Sequence, residues 1–356
     1  MPHLPHVYFW LIARGLAELG HEVHLFAPPK SKVPPNGYLH YIPHTEGRLD
    51  LEAEYFHVKH YKDILLKLDF VIDCSHTKQF AKYVQYYHRD YMCRVLNVLN
   101  GVVTPPVQYN IVVGSRVWAK LLIEGKSQFH DCEICSLLYG TKIHPVKREA
   151  IVGIIPWAQD SSMYTPNYEK DSYYLFYARP TIYKGFDVVI KLKKVLRDKL
   201  NIVAGFGVAT DEHRYWYNLY KPMIDRLGIP HVVNVTHEEK IRLMQRAKAY
   251  LNPIHAHEPF GLLVIEAMLC ATPVIATAMG SMPEIIQHGR SGLLFKTFEE
   301  LVNIVVNNEV EKIDLREVRR RGEEFDYRKV VPNYIDLAKR LERKGVNNVF
   351  VDYFPH

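Results

Sequence analysis

The chain has 356 residues, 48% of them hydrophobic and 24% charged, which corresponds to about two globular domains and excludes a disordered or fibrous protein. Its formal net charge of +6 suits a phosphate-bearing ligand or an anionic membrane surface, but the charge is too diffuse to indicate nucleic-acid binding. Five cysteines, an odd number, do not suggest a secreted disulfide framework and favour a reducing cytoplasm.

The N-terminal part predicts alternating helices and strands. Apolar residues at helical spacing in YFWLIARGLAELG predict a helix that ends at Gly20, and HEVHLFAPP predicts the strand that follows. Only MPHLPH precedes this helix, so the strand and glycine turn that normally open a doubly wound domain are missing or supplied by another segment. Later strands alternate with helices, which implies a parallel sheet with ligands at the carboxyl ends of its strands. The turn after the strand at 70–74 contains Asp73, Ser75 and His76.

Residues 128–148 contain side chains that can be written as a zinc site: His130, Cys132, Cys135 and His144. A single C-x2-C with one outlying histidine falls short of the paired spacings typical of structural zinc. A buried cysteine hairpin or a local disulfide explains the pattern as well. We therefore predict no metal site and leave zinc at the two cysteines as the open alternative.

Two cations stand on one loop in the second half of the chain. YYLFYARPTIYKGF predicts a strand, a loop and the start of a helix, and the loop carries Arg179 and Lys184. Cations at such a junction can clamp a diphosphate, although a solvated basic loop explains the pair in isolation. The next strand ends in Gly205 and Gly207, but Thr210 stands where a dinucleotide-binding fingerprint requires its third glycine. This departure excludes an NAD site.

The densest chemical pattern lies at residues 255–295. Glu258 and Glu266 flank Pro-Phe-Gly, and LLVIEAMLC then predicts a buried helix that begins just past Gly261. A helix start offers unpaired backbone N–H groups and the positive end of the helix dipole, and both suit a diphosphate. PVIAT predicts a strand, and GSMPEI predicts a second glycine turn that enters a helix. Because a lone pair of glutamates is more often an ordinary feature of a helix, the length of the pattern carries the interpretation.

Taken together, these motifs resemble the family 4 retaining glycosyltransferases (glycosyl transferases group 1) of the GT-B fold. The resemblance rests on R-x4-K-G at 179–185, E-x7-E at 258–266, the G-S-x-P-E turn at 280–284 and Gly-Leu-Leu at 292–294. It implies an α/β protein with two Rossmann-like, doubly wound parallel-sheet domains that face each other across a cleft.

The resemblance also predicts the domain boundaries. An N-terminal acceptor-side domain would span 1–157, without its usual first strand, and a nucleotide-sugar domain would span 158–330. A C-terminal helix and tail, 331–356, would cross back to the first domain. Alternating apolar residues in the tail predict an added strand or docking segment, and this strand is a candidate replacement for the missing first strand.

By the same resemblance, four side chains would serve the reaction. Glu258 would hold sugar hydroxyls, and Arg179 and Lys184 would neutralise the diphosphate. His76 would lie near the reacting sugar. Further residues would bind the donor through the ribose, the base or the backbone amides: Glu266, Asn234, Val235, Phe260, Gly261 and Leu262.

The expected activity is transfer of a sugar from a UDP-, GDP- or ADP-linked donor, with retention at the anomeric carbon and without a metal or other cofactor. The acceptor is unidentified, and a glycan, a lipid, a protein and a small molecule all stay open. The protein would act in the cytoplasm, with peripheral membrane contact and a homodimer as open possibilities and no nucleic-acid partner. Two alternatives are a GT-B sugar-nucleotide epimerase and a non-catalytic sugar-nucleotide-binding protein.

Overall fold

The computed structural model describes residues 4–42, 50–101 and 103–356. Its helices are α1 (Leu4–Glu18), α2 (Asp50–Leu65), α3 (Gln79–Tyr87), α4 (Arg116–Glu124), α5 (Glu133–Tyr139), α6 (Phe186–Leu196), α7 (Asp211–Arg226), α8 (His237–Arg246), α9 (Leu262–Leu269), α10 (Met282–Ile285), α11 (Phe298–Val306), α12 (Leu315–Glu323), α13 (Tyr327–Val330) and α14 (Pro332–Lys344). Its strands are β1 (Val23–Phe26), β2 (Gly37–His40), β3 (Val71–Asp73), β4 (Val95–Val98), β5 (Ile111–Val113), β6 (Ile151–Ile154), β7 (Tyr174–Ala178), β8 (Ile202–Phe206), β9 (His231–Val233), β10 (Ala249–Asn252), β11 (Val274–Thr277), β12 (Gly292–Phe295) and β13 (Val351–Asp352). None of the helices in these described ranges is long and apolar enough to cross a membrane.

The chain divides into two compact units. The first unit comprises Met1–Ser127, Lys142–Gln159 and Asp326–His356, and the second comprises Gln128–Thr141 and Asp160–Phe325. This division differs from the predicted boundaries in two places. Residues 128–141 group with the second unit, and the C-terminal segment that belongs to the first unit starts at 326 rather than 331. The physical reason for the first difference is apolar packing, since Phe129 and Cys135 are buried in one cluster with Ala256.

The second unit is a six-stranded parallel sheet in the order β12-β11-β10-β7-β8-β9. This order is that of a doubly wound sheet, in which the chain starts at the centre and winds outward in both directions. The central strands β7 and β10 are buried along their whole length, as expected for strands that are covered on both faces. The arrangement confirms the predicted alternation of strands and helices in this half of the chain.

The first unit contains a five-stranded parallel sheet in the order β13-β6-β5-β4-β3 and a separate parallel pair, β1 and β2. In the usual doubly wound order, the first strand lies between the two halves of the sheet and joins them. Within the described residues, α1 precedes β1 and no strand joins β1 to β3. The first three residues of MPHLPH lie outside the described residues.

The C-terminal tail does add a strand, because Val351 and Asp352 pair with Gly153 and Ile154 of β6. This strand lies at the edge of the sheet opposite β3. The prediction that it replaces the missing first strand is therefore wrong. Its position follows from α14, which precedes it and buries Tyr334, Leu337 and other residues of one face in the first unit.

Candidate active site

The point where the strand order reverses in the second unit lies between β7 and β10. Ligands of doubly wound sheets bind outside the carboxyl ends of the strands at this point, because the loops there diverge and leave a crevice. The loop after β7 contains Arg179 and Lys184, and the loop after β10 contains Glu258. The topology thus places two of the predicted motifs on neighbouring strand ends.

Lys184 and Glu258 meet directly. A single 3-10 turn, Ile182–Lys184, follows β7, and the Lys184 ammonium donates a hydrogen bond to Glu258 Oε1. The side chains are only 11% and 24% exposed, so the ion pair is partly shielded from water. Gly185 has a φ of +78°, and a Cβ at this position would lie 1.7 Å from the Pro253 carbonyl oxygen. Glycine is therefore what allows the two loops to approach.

A second glycine fixes the backbone of Glu258. Gly280 follows β11 with a φ of +59°, and a Cβ here would lie 2.6 Å from the Glu258 amide nitrogen. The Ser281 amide donates to the Glu258 carbonyl oxygen at 3.0 Å. Three motifs that are far apart in sequence therefore converge at Glu258: the Lys184 loop, the Glu258 loop and the glycine turn at 280.

The N-terminus of α9 lies immediately after this loop. Gly261 is its N-cap residue and offers no side chain to the first turn. Within the described residues, the amides of Gly261 and Leu262 have no hydrogen-bond acceptor. Phe260 is buried and packs against Phe325 at a ring-centroid distance of 6.0 Å. The helix start consequently presents open donors and the positive end of its dipole.

Glu266 occupies the interior of the same helix and is fully buried. Its Oε2 lies 2.5 Å from the Lys240 ammonium, whose side chain is 9% exposed. Burial, followed by the nearby Glu266 charge, raises the pKa of Tyr164 far above its ordinary value. Sequence reasoning missed Lys240, because a lysine at the fourth position of a capped helix looks like any solvated helix residue.

The remaining predicted donor residues lie at strand ends on the other side of β7. Asn234 follows β9 with a φ of +53°, and its side-chain amide exchanges hydrogen bonds with the Val208 backbone at 2.7 and 3.0 Å. The Asn234 side chain thus links the loops after β8 and β9, and Val235 follows it in sequence.

Arg179 is exposed and forms no ion pair within the described residues. Burial and the nearby Arg179 charge lower the pKa of His213, so Arg179 lies near the start of α7.

His76 belongs to the first unit, in the turn after β3. Its side chain is exposed, and its amide donates to Glu54 Oε1 at 2.8 Å. Lys78, which the sequence analysis did not single out, is a buried cation at this sheet edge. Its ammonium donates to the carbonyl oxygens of Asp73 and Val98 at 2.6 and 2.9 Å and ties the ends of β3 and β4 together.

The residues of the zinc alternative do not form one group. Cys132 caps α5, and Cys135 donates its amide to the Cys132 sulfur at 3.3 Å. Burial, with the Cys132 thiol beside it, raises the pKa of Cys135 to about 12. His144 groups with the first unit, whereas the cysteines group with the second.

Comparison with known proteins relates these residues to a family. Residues 161–319, which include the Lys184 and Glu258 loops and both glycine turns, match the family model described as glycosyl transferases group 1. The second unit carries a glycosyl transferases group 1 region. The predicted resemblance to this family is thereby confirmed for residues 161–319, whereas the roles of the individual residues stay predictions.

Curated relatives match parts of the chain. A probable sucrose-phosphate synthase from Thermosipho melanesiensis is 34% identical over 86 residues, which cover 24% of this chain and 20% of the relative. A D-inositol 3-phosphate glycosyltransferase from Thermobifida fusca is 31% identical over 132 residues, which cover 34% of this chain and 30% of the relative. The matches thus span less than a third of the length of these two relatives.

Solved structures resemble the chain over nearly its whole length. The Anabaena protein HepE, solved in complex with UDP and glucose, has a TM-score of 0.65 at 16% identity and covers 96% of this chain and 97% of its own. A glycosyltransferase from Rickettsia africae has a TM-score of 0.65 at 15% identity and covers 94% of both chains. At such identities the likeness shows the fold, and it confirms the predicted α/β class with two Rossmann-like sheets of the GT-B type.

Proposed function

We propose that the protein is a glycosyltransferase that takes its sugar from a nucleoside-diphosphate donor and retains the configuration of the anomeric carbon. The observation that carries this proposal is the meeting of Lys184, Glu258 and the open start of α9 at the strand-order reversal of the second unit. The family match of that unit supports the transfer of a sugar, and the complexes of HepE with UDP and with UDP-glucose make UDP-linked sugars the first donors to test.

The arrangement suits the charge that develops during the reaction. Cleavage of the bond between the sugar and the diphosphate leaves negative charge on the departing phosphate oxygen. The Lys184 ammonium and the amides of Gly261 and Leu262 are positive groups held before the donor arrives, so they stabilise that charge with little reorganisation. No metal ion is required for this role.

The Lys184–Glu258 ion pair gives each partner a defined role. In the free protein, the ion pair with Glu258 positions the Lys184 ammonium. A bound diphosphate competes for the ammonium, and the Glu258 carboxylate then becomes an acceptor for sugar hydroxyls. Arg179, exposed and without an ion pair among the described residues, adds a second cation from the same loop. Glu266 would accept from the ribose, with Lys240 offsetting the cost of its buried charge.

The acceptor and the place of action belong to the same proposal. A glycan, a lipid, a protein and a small molecule are the acceptor classes to test. The cytoplasm is the proposed compartment, because the five cysteines do not suggest a secreted disulfide framework.

The test is a donor panel. UDP-, GDP- and ADP-linked sugars are screened by thermal shift, and the donors that bind are then assayed for hydrolysis and for transfer to each acceptor class. Lys184→Ala and Arg179→Ala should each lower turnover about a hundredfold or more, in the range seen when one charge-stabilising donor is removed. The matched control is Lys194→Ala, an exposed lysine of α6, which should retain full turnover.

Each outcome decides between the proposal and its alternatives. Transfer with retention, followed by NMR of the anomeric proton, supports the proposal. Isomerisation of the donor without an acceptor identifies an epimerase, and binding without turnover identifies a sugar-nucleotide-binding protein. Turnover by Lys184→Ala within threefold of the wild type would refute the role given to the ion pair.

A further inference from the structure

Segment 128–141 brings a cluster of histidine and carboxylate groups to the Glu258 loop. His257, which precedes Glu258, places its Nε2 2.6 Å from Asp131 Oδ2, although the two residues are 126 positions apart. His130 places its Nε2 3.2 Å from the other oxygen, Oδ1, of the same carboxylate. The two imidazole rings stack with their centroids 4.7 Å apart and an interplanar angle of 19°. All three residues belong to the second unit.

Packing and one backbone hydrogen bond hold the three residues together. Phe129 and Ala256, the neighbours of His130 and His257, lie in the same buried cluster. The His257 amide donates to the Gln128 carbonyl oxygen at 2.8 Å, which joins segment 128–141 to the Glu258 loop beside the cluster. The backbone positions of all three side chains are therefore set by contacts outside the cluster, as in a preorganised ligand site.

We propose that His130, Asp131 and His257 bind a divalent transition-metal ion of the zinc class. Two imidazoles and one carboxylate are a donor set that suits zinc and neighbouring ions, with water completing the coordination. One ligand atom from each residue can be chosen so that all three lie within 4.8 Å of one another. In a tetrahedral zinc site such atoms are roughly 3.3 Å apart, given metal–ligand distances of about 2.0–2.1 Å, so modest side-chain rotations complete the site.

The exposure of the cluster defines the kind of site. The side chains of His130, Asp131 and His257 are 26%, 54% and 19% exposed. Solvent therefore reaches the cluster, and the remaining coordination positions are open to water. This points to an exchangeable ion that fastens segment 128–141 to the Glu258 loop rather than to a closed structural site. The proposal does not depend on sugar transfer.

The competing explanation is a pair of histidine–aspartate ion pairs without a metal. A titration of the full chain with Co²⁺, a spectroscopic substitute for Zn²⁺, separates the two. We expect one equivalent to bind, with visible absorption bands of a low-coordinate site that are lost when Zn²⁺ is added. His130→Ala and His257→Ala should each weaken binding at least tenfold, since even groups that only support metal ligands contribute about that much.

Two variants are matched controls for this titration. His255→Gln removes a histidine that is two positions from His257 and pairs with Asp187 at 3.0 Å outside the cluster, and its affinity should equal that of the wild type. The double variant Cys132→Ser/Cys135→Ser should also be unchanged. The proposal would be overturned if His255→Gln lost as much Co²⁺ affinity as the ligand variants, or if the cysteine variant lost affinity. It would also be overturned if the wild type bound Co²⁺ no more tightly than His130→Ala. Thermal unfolding of each variant checks its fold. If His257→Ala does not fold, Asp131→Asn replaces it, because Asp131 is the most exposed of the three ligands.

Discussion

At the residue scale, the candidate site depends on positions where a side chain would occupy space that the backbone needs. Gly185 and Gly280 both have positive φ, and a Cβ at either one would collide with the backbone of a neighbouring loop. The resulting close approach places the Lys184 ammonium beside the Glu258 carboxylate and the Ser281 amide against the Glu258 carbonyl oxygen. These glycines therefore determine the geometry of the site.

We predict that Gly280→Ala destabilises the second unit more than Gly289→Ala does. Both residues have positive φ, so both substitutions incur the backbone strain of about 1–2 kcal/mol. Only at Gly280 would the new Cβ lie 2.6 Å from a backbone nitrogen, whereas Gly289 has no heavy atom within 4 Å. Calorimetric unfolding of the two variants measures the difference. Equal shifts of the melting temperature would show that the turn at 280 adapts.

The buried pair of Lys240 and Glu266 leads to a second prediction at this scale. Lys240→Met or Glu266→Leu alone leaves one buried charge without its partner and should lower the free energy of unfolding by about 3–5 kcal/mol. The double variant removes both charges and should be much closer to the wild type. Urea denaturation of the four proteins forms a double-mutant cycle. If the two single effects simply add, the pair is not coupled in the way the structure indicates.

At the scale of elements, the tail strand β13 shows how a short segment is held by groups from several others. The Tyr353 amide donates to the Ile154 carbonyl oxygen at 2.9 Å, and Asp352 accepts from Arg116 of α4 at 2.6 Å. The backbone amides of Asn110 and Asn347 each donate to the other's side-chain oxygen, at 3.0 and 3.1 Å. Two paired residues would not form a strand alone, so these contacts determine where β13 lies.

We predict that the Tyr353 amide is protected from hydrogen exchange. Asp352→Ala should speed its exchange about fivefold, because a half-exposed ion pair contributes about 1 kcal/mol to the local closed state. The control is Asn348→Ala, which changes an exposed side chain that donates within its own turn to the Lys344 carbonyl oxygen. Exchange of Tyr353 at the rate of an unstructured peptide would show that β13 does not persist in solution.

At the scale of the whole molecule, the two units are built from stretches that alternate along the chain. Residues 128–141 leave the sequence of the first unit and pack in the second, and residues from 326 onward return to the first. Each unit has a parallel sheet, but within the described residues only the second has an unbroken doubly wound order. The predicted donor residues lie in this second unit, with the exception of His76.

Local patterns in the sequence predicted most of the elements and the donor motifs. Helical spacing identified α9 and α14, and the apolar run of PVIAT identified β11, because these patterns depend only on which face of an element is buried. The motif around Glu258 indicated the family whose model matches residues 161–319. Such features are determined by residues close in sequence, and the sequence alone therefore sufficed for them.

Only the tertiary structure decided which distant residues meet. The structure pairs Lys240 with Glu266, Asp131 with His257, and β13 with β6. In each case the spacing of the residues in the sequence does not indicate that they meet. The physical reason is that such contacts depend on the order of the strands and on which apolar faces pack together. Glu258 and Glu266 show both sides of this division: the sequence alone located them, and the fold assigned Lys184 to one and Lys240 to the other.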